Sequence, residues 1–282
     1  MHFTRLRRAL WQAFMHGQYS VAKAAAYSSI LTLFPAFLVV ASALEASDKT
    51  SGVLQQIAFA LGWVLPPGSR TAAISFFQAK QHHTTRIIIS ASVVMLLAAT
   101  GVMISWMDGF RRAYQVENTW GFWKERAIAF SLVFLALLPL GFATVLVAFG
   151  NQIEVWLRAD TMHFFRPVIL KLWDAMRLAI AFLTSVAVMS LIYHNGVPKT
   201  QSWRKILPGA VTAALLWFPA TMLFGWYVRD YATYSVVYGP LSAAIALLVW
   251  LYIVSAIVLL GAELNAQFYP RVPGNGGARA KV

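Results

Sequence analysis

Six stretches of the chain, at 24–44, 87–107, 127–150, 178–197, 207–228 and 240–262, contain no Asp, Glu, Lys or Arg. Each has about the length a helix needs to cross bilayer hydrocarbon, roughly 20 residues. A helix of that length in a soluble core would show a charged face, and these blocks show none. In lipid every backbone amide must be satisfied within its own segment, so blocks of this kind become helices. The chain is therefore expected to be an all-α, polytopic membrane protein with six transmembrane helices. A cleaved signal peptide is not expected, because the first block is too long for an h-region and 23 residues precede it.

The 59% hydrophobic content and formal net charge of +13 narrow the partners. In a soluble chain such a charge would point to nucleic acid. Here the anionic membrane surface accounts for it, and no nucleic acid is expected. An N-in/C-in arrangement puts Arg5, Arg7, Arg8, Lys23, Arg111, Arg112, Lys124 and Arg126 on the cytoplasmic side. The connection 196–206 and the end of the chain add further Lys and Arg there, as the positive-inside rule requires. The chain has no cysteine, so disulfides and thiolate chemistry are excluded.

Outside the blocks, residues 1–23 suggest an amphipathic helix on the cytoplasmic face, either lying in the headgroup region or packed on the cytoplasmic ends of the spans. Phe3, Leu6, Leu10 and Phe14 recur at helical spacing, with Arg5, Arg8 and Gln12 turned away from them. A six-helix domain over 24–268 follows, and 269–282 read as a flexible basic tail. Residues 45–86 suggest an external helical hairpin, broken at Pro66-Pro67-Gly68, that could act as a lid. His82-His83 lack nearby carboxylates, so no metal is expected there. The connection 108–126 is expected to extend the second span as a helix, with Asp108 pairing to Arg111 and Arg112 at i+3 and i+4. Trp120 and Trp123, beside Lys124 and Arg126, read as an interfacial anchor. Pro208 suits the first turn of the fifth span.

Pro35, Pro139 and Pro219 stand near the middle of the first, third and fifth spans, each four residues after a leucine: Leu31, Leu135 and Leu215. Proline frees that carbonyl and kinks the helix, so three facing kinks could line a polar path at mid-depth. Tyr27, Ser28 and Ser29, with Tyr234 and Tyr238 at the outer mouth, are the other candidates for such a path. Serine bonded to its own helix and tyrosine at the interface explain the same residues without a path. Gly101, Gly141 and Gly261 could pack helices within one chain or in a homo-oligomer.

The last block ends in VLLGAELNAQF, residues 258–268, where Glu263 meets hydrocarbon near a helix C-terminus. A carboxylate there is disfavoured by burial and by the helix dipole, which calls for a cationic partner. Lys23, Arg111, Arg112 and Lys205 lie on the same side. Glu263 is expected to form an inner-face ion pair or gate with one of them, with Asn265 adding hydrogen bonds.

AAAYSSILTLFPAFLVV in the first span, LPGAVTAALLWFPATMLFGWYV in the fifth and YSVVYGPLSAAIALLVWLYIVSAIVLLGAELNAQF at the end resemble the YihY/virulence factor BrkB family. The chain departs from that pattern at Tyr238-Gly239-Pro240-Leu241-Ser242 and at Trp106-Met107-Asp108-Gly109-Phe110. The resemblance implies a multi-pass protein of the bacterial inner membrane. It brings an older ribonuclease BN label, a link of one branch to serum resistance, and a proposal that another branch moves lipid A precursors. It does not bring a catalytic constellation. The carboxylates within reach of cytoplasmic RNA, Asp108, Glu117, Glu125 and Glu263, are scattered along the chain, so the nuclease reading is disfavoured. No Gly-rich phosphate loop supports an ATPase, and no carboxylate at mid-span supports a proton-coupled carrier. The expectation is a non-enzymatic translocator of a lipid or amphipathic envelope solute, without cofactors, whose partners are membrane lipids. The alternative is a scaffold for envelope enzymes.

Overall fold

The structure, a computed structural model, describes residues 2–45, 85–137, 166–198, 202–230 and 242–268. Most of the expected 45–86 hairpin, His82-His83, Pro139, Gly141, Tyr234, Tyr238 and the tail 269–282 lie outside the described residues.

Every described element is a helix: α1 (His2–Met15), α2 (Gln18–Glu45), α3 (Thr85–Tyr114), α4 (122–137), α5 (Arg166–Asn195), α6 (Trp203–Asp230) and α7 (Ser242–Ala266). Five helices are long and apolar enough to cross a membrane, over Gln18–Val39, Thr85–Tyr114, Lys171–Asn195, Trp203–Val228 and Ala244–Ala266. The sixth expected block, 127–150, is described only as far as residue 137.

The helix expected over residues 1–23 is interrupted. Gly17 has φ 67°, a left-handed conformation that glycine adopts without steric cost. It ends α1 by donating its N–H to Phe14 O at 3.1 Å, and α2 starts at once with Gln18. Ala9 and Ala13 are the buried face of α1, whereas Leu10, Trp11, Phe14 and Met15 are exposed. Small residues let α1 lie close on α7 and α2, and the large apolar ones face outward. In a membrane protein that outward stripe belongs in the interfacial region. The helix therefore has one face on the protein and another free for lipid.

The helix expected through 108–126 also stops early. Gln115 takes φ 53°, its N–H bonds Arg112 O at 3.3 Å and the Val116 N–H bonds Arg111 O at 3.0 Å. These two bonds form a Schellman stop, here closed by glutamine instead of the usual glycine. Asn118 then turns the chain by accepting from the Trp120 N–H at 3.1 Å, and α4 follows Gly121. Pro208 lies within the second turn of α6, beyond the first turn expected for it.

Burial is concentrated where α2, α4 and α6 begin and α3, α5 and α7 end. In α3 the buried residues run from Val102 to Tyr114 and none precedes Val102. Met107, Phe110, Leu132, Tyr193, Ile206 and Leu259 fill this core almost without exposure. Phe110 meets Tyr193 edge-on at 5.1 Å between ring centres. A smaller cluster, Phe224, Ala246, Leu247 and Trp250, joins the far parts of α6 and α7, and Leu33 and Phe37 of α2 pack against it.

Candidate functional site

The last turns of α7 are the hub of the packed end. Residues one helical turn apart share a face, so Leu259 and Glu263 point one way while Gly261 and Asn265 point another. Leu259 and Glu263 face α2 and α3. A side chain at Gly109 of α3 would run into Leu259, and Glu263 reaches the start of α2. Gly261 and Asn265 face α6, where the Gly209 N–H donates to Asn265 Oδ1 at 2.7 Å.

Glu263 is fully buried, and its Oε1 accepts two bonds. Gln18 Nε2 donates at 2.8 Å, and His16 Nδ1 lies at 2.8 Å. The second hydrogen of the Gln18 amide goes to Gly109 O at 2.9 Å. One carboxylate oxygen thus gathers the α1–α2 turn, α3 and α7. Gly17 makes this possible, because the tight turn it allows sends its two polar neighbours toward one acceptor. Buried Glu263 Oε2, Gln18 Oε1 and Asn265 Nδ2 have no hydrogen-bond partner among the described residues.

Tyr193 closes the α5 side by donating its hydroxyl to Val258 O at 2.6 Å, fully buried. Tyr193→Phe removes this cross-helix bond and should cost about 1 kcal/mol, since Val258 lies inside α7 and its carbonyl keeps its place in the helix. A lowered thermal midpoint of the purified protein, with an unchanged elution profile, is the expected reading.

The partners proposed for Glu263 from the sequence form no ion pair with it among the described residues. Arg112 is exposed and pairs with Asp108 at 2.8 Å. Arg111 pairs with Asp108 at 3.5 Å and with Glu125 of α4, whose other oxygen accepts from Asn118 at 3.2 Å. The i+3 and i+4 pairs of Asp108 are therefore present, and they hold both arginines away from Glu263. Lys23 is exposed on α2, and Lys205 is exposed on α6. The donors that reach the carboxylate come from His16-Gly17-Gln18. A glycine between two polar residues at the end of an amphipathic helix is the signal that could have revealed them.

The other candidates are dispersed. Tyr27 is 63% exposed, and Ser28 packs beside Gly101. Ser29 donates its hydroxyl to Ala25 O of its own helix at 2.8 Å. Pro35 and Pro219 lie inside α2 and α6, as expected. Leu31 is 45% exposed and Leu215 56%, and Pro219 is also exposed. The carbonyl freed by a proline lies on the same face as the residue four before it. Among the described residues, then, the faces of α2 and α6 that hold the freed carbonyls turn outward and do not converge on a shared path.

Among the described residues no three His, Asp or Glu are grouped as metal ligands. The site ties helices to one another through the bonds of Gln18, His16 and Gly209 to α7, an arrangement suited to holding helices together.

The family model described as Virulence factor BrkB matches residues 10–281, so the chain belongs to that family. It is 28% identical to a protein of Bacillus subtilis named ribonuclease-like protein YfkH, over 91% of this chain and 92% of that protein. It is 27% identical to a UPF0761 membrane protein of Tolumonas auensis, over 96% of this chain and 91% of that one. A UPF0761 membrane protein of Alcanivorax borkumensis is also 27% identical over 86% of the chain, which spans 55% of that longer relative. No solved structure matches the chain.

Proposed function

We propose that this BrkB-family protein of the bacterial inner membrane is a passive translocator for a lipid or amphipathic envelope solute. The α1 end faces the cytoplasm and is closed by the Glu263 cluster. The observation that carries this reading is that burial among the described residues is concentrated at one end, with only a small cluster of α6 and α7 beyond it. In α3 every buried residue lies between Val102 and Tyr114, while residues 85–101 are half-buried or exposed. A conduit in its outward-facing state has to be sealed at one end only. A scaffold has no need of that asymmetry.

The closure is also of a kind that can open. Glu263, Gln18 and His16 sit at a glycine turn between two helices, and a hinge needs a few terminal positions of that sort. The basic residues of α1 and the connections at the same end favour the cytoplasmic side.

The name of the Bacillus relative does not transfer a nuclease activity to this chain. Asp108 and Glu125 are tied to Arg111 and Arg112, and Glu263 is sealed from solvent. Phosphodiester hydrolysis needs such groups clustered and open to substrate.

Purified protein in liposomes carrying a headgroup-labelled lipid should bring inner-leaflet label within reach of an external quencher. Protein-free vesicles should not. Equal rates in the two would remove the translocator, and copurification of envelope enzymes without scrambling would establish the scaffold. Because the chain lacks cysteine, a single Trp11→Cys variant reports orientation without background. It should react with an impermeant maleimide only after the cells are opened.

A further inference from the structure

A cavity of about 530 Å³ opens between α1, the beginning of α6 and the end of α7. Arg5 of α1 and Arg204 of α6 stand at it, and no carboxylate lines it among the described residues. Leu207, Val211 and Leu264 form an apolar wall. Arg5 is fixed in place: its carbonyl accepts from Gln267 Nε2 at 2.8 Å, and its guanidinium lies 4.7 Å from the centre of the Phe268 ring.

Among the described residues neither charge is neutralised by a carboxylate. The ion pairs among the described residues are those of Glu263, Asp108 and Glu125, and neither Arg5 nor Arg204 enters them. Arg204 also belongs to the first turn of a 28-residue helix, whose N-terminus adds positive potential. Two arginines free to donate in forks are suited to phosphate oxygens. The apolar wall then runs along α6 into its membrane-crossing part, Trp203–Val228. A free phosphate would use the arginines and leave that wall wet. A phospholipid uses both.

We propose that this cavity binds one anionic phospholipid, its phosphate between Arg5 and Arg204 and an acyl chain along Leu207 and Val211. The exposed Trp203 and Trp11 sit where interfacial indoles are expected, which places the cavity at headgroup depth. The bound lipid bridges α1 to α6 beside the Gly209–Asn265 bond, so it secures the closed end from outside the protein core. Its binding does not depend on transport, and a protein that scrambles nothing would still carry it.

Native mass spectrometry of the full chain, titrated with phosphatidylglycerol or phosphatidylcholine, tests the proposal. One phosphatidylglycerol should bind at least about tenfold more tightly than phosphatidylcholine, and millimolar inorganic phosphate should not displace it. Arg5→Gln with Arg204→Gln should weaken that binding about tenfold or more, since each lost charged hydrogen bond is worth more than 1 kcal/mol. Arg7→Gln with Arg8→Gln removes equal charge from exposed positions outside the cavity and should leave binding unchanged. Leu207→Trp should weaken it by filling the apolar wall while both arginines remain. Thermal midpoints near wild type in all variants would exclude misfolding as the cause. Equal binding by the Arg5/Arg204 and Arg7/Arg8 double variants would overturn the site. Displacement by inorganic phosphate would overturn the lipid as its occupant.

Discussion

Gly209→Ala should be among the most damaging single methyl additions in this protein. A Cβ at Gly209 would fall on the carbonyl oxygen of Gly261 and on the side-chain amide of Asn265, in both cases well inside van der Waals contact. The first obstacle is backbone and cannot rotate away. The second is held in place, because Asn265 Oδ1 accepts from the Gly209 N–H at 2.7 Å. Relief requires α6 and α7 to separate, which breaks that bond and pulls Gly261 from Tyr193, whose hydroxyl already fills the space beside it. Overpacking a tight contact costs typically 1–3 kcal/mol and occasionally more, and losing a buried hydrogen bond adds about 1. A total of about 2–4 kcal/mol is comparable to a large part of a domain's net stability. The expected result is a sharp drop in yield and a much lower unfolding midpoint. Gly121→Ala is the matched control, since nothing lies within 4 Å of a Cβ there. Equal midpoints for Gly209→Ala and Gly121→Ala would refute the crossing as a point of strain.

That crossing shows what a single sequence does and does not disclose. The charge-free blocks were legible because the bilayer imposes length and polarity on each span separately, and five long apolar helices answer to them. Asp108 with Arg111 and Arg112 was legible for the same reason, being set by helix geometry alone. Gly261 could be marked as a packing residue, but its partners Gly209 and Tyr193 lie far away in the chain. The α1–α2 break hid in a stretch whose apolar spacing continues on both sides of Gly17. The apolar stripe of α1 was visible, yet the face against the protein is made of Ala9 and Ala13, which carry almost no periodic signal. The proline repeat was legible as a pattern, and the outward exposure of Leu31 and Leu215 was not. Periodicity tells which residues share a face and leaves open what that face meets.

Glu263 tests the closure itself. Glu263→Ala removes the acceptor that Gln18 and His16 share, leaving a buried amide N–H and an imidazole nitrogen beside an empty space. Leaving the buried Gln18 amide unmet costs about 1–3 kcal/mol, and the space left by the lost side chain adds to it. Glu263→Gln should behave differently. Its side-chain oxygen can still accept from Gln18 and from His16, and Oε2, the atom it turns into an amide, has no partner to lose among the described residues. We expect the glutamine variant to keep most of the wild-type midpoint and the alanine variant to lose most of it. His16→Ala should fall between them, because the Gln18 bond to Glu263 survives. If Glu263→Gln unfolds as readily as Glu263→Ala, the carboxylate charge is indispensable, and the cluster is an ion pair in function as well as in position. The translocator reading adds a second expectation. Loosening this end should raise scrambling in His16→Ala at temperatures where the variant is still folded, since the closed end is the barrier. A variant that is destabilised yet scrambles no faster would separate the two roles and leave Glu263 as a clasp without a gate.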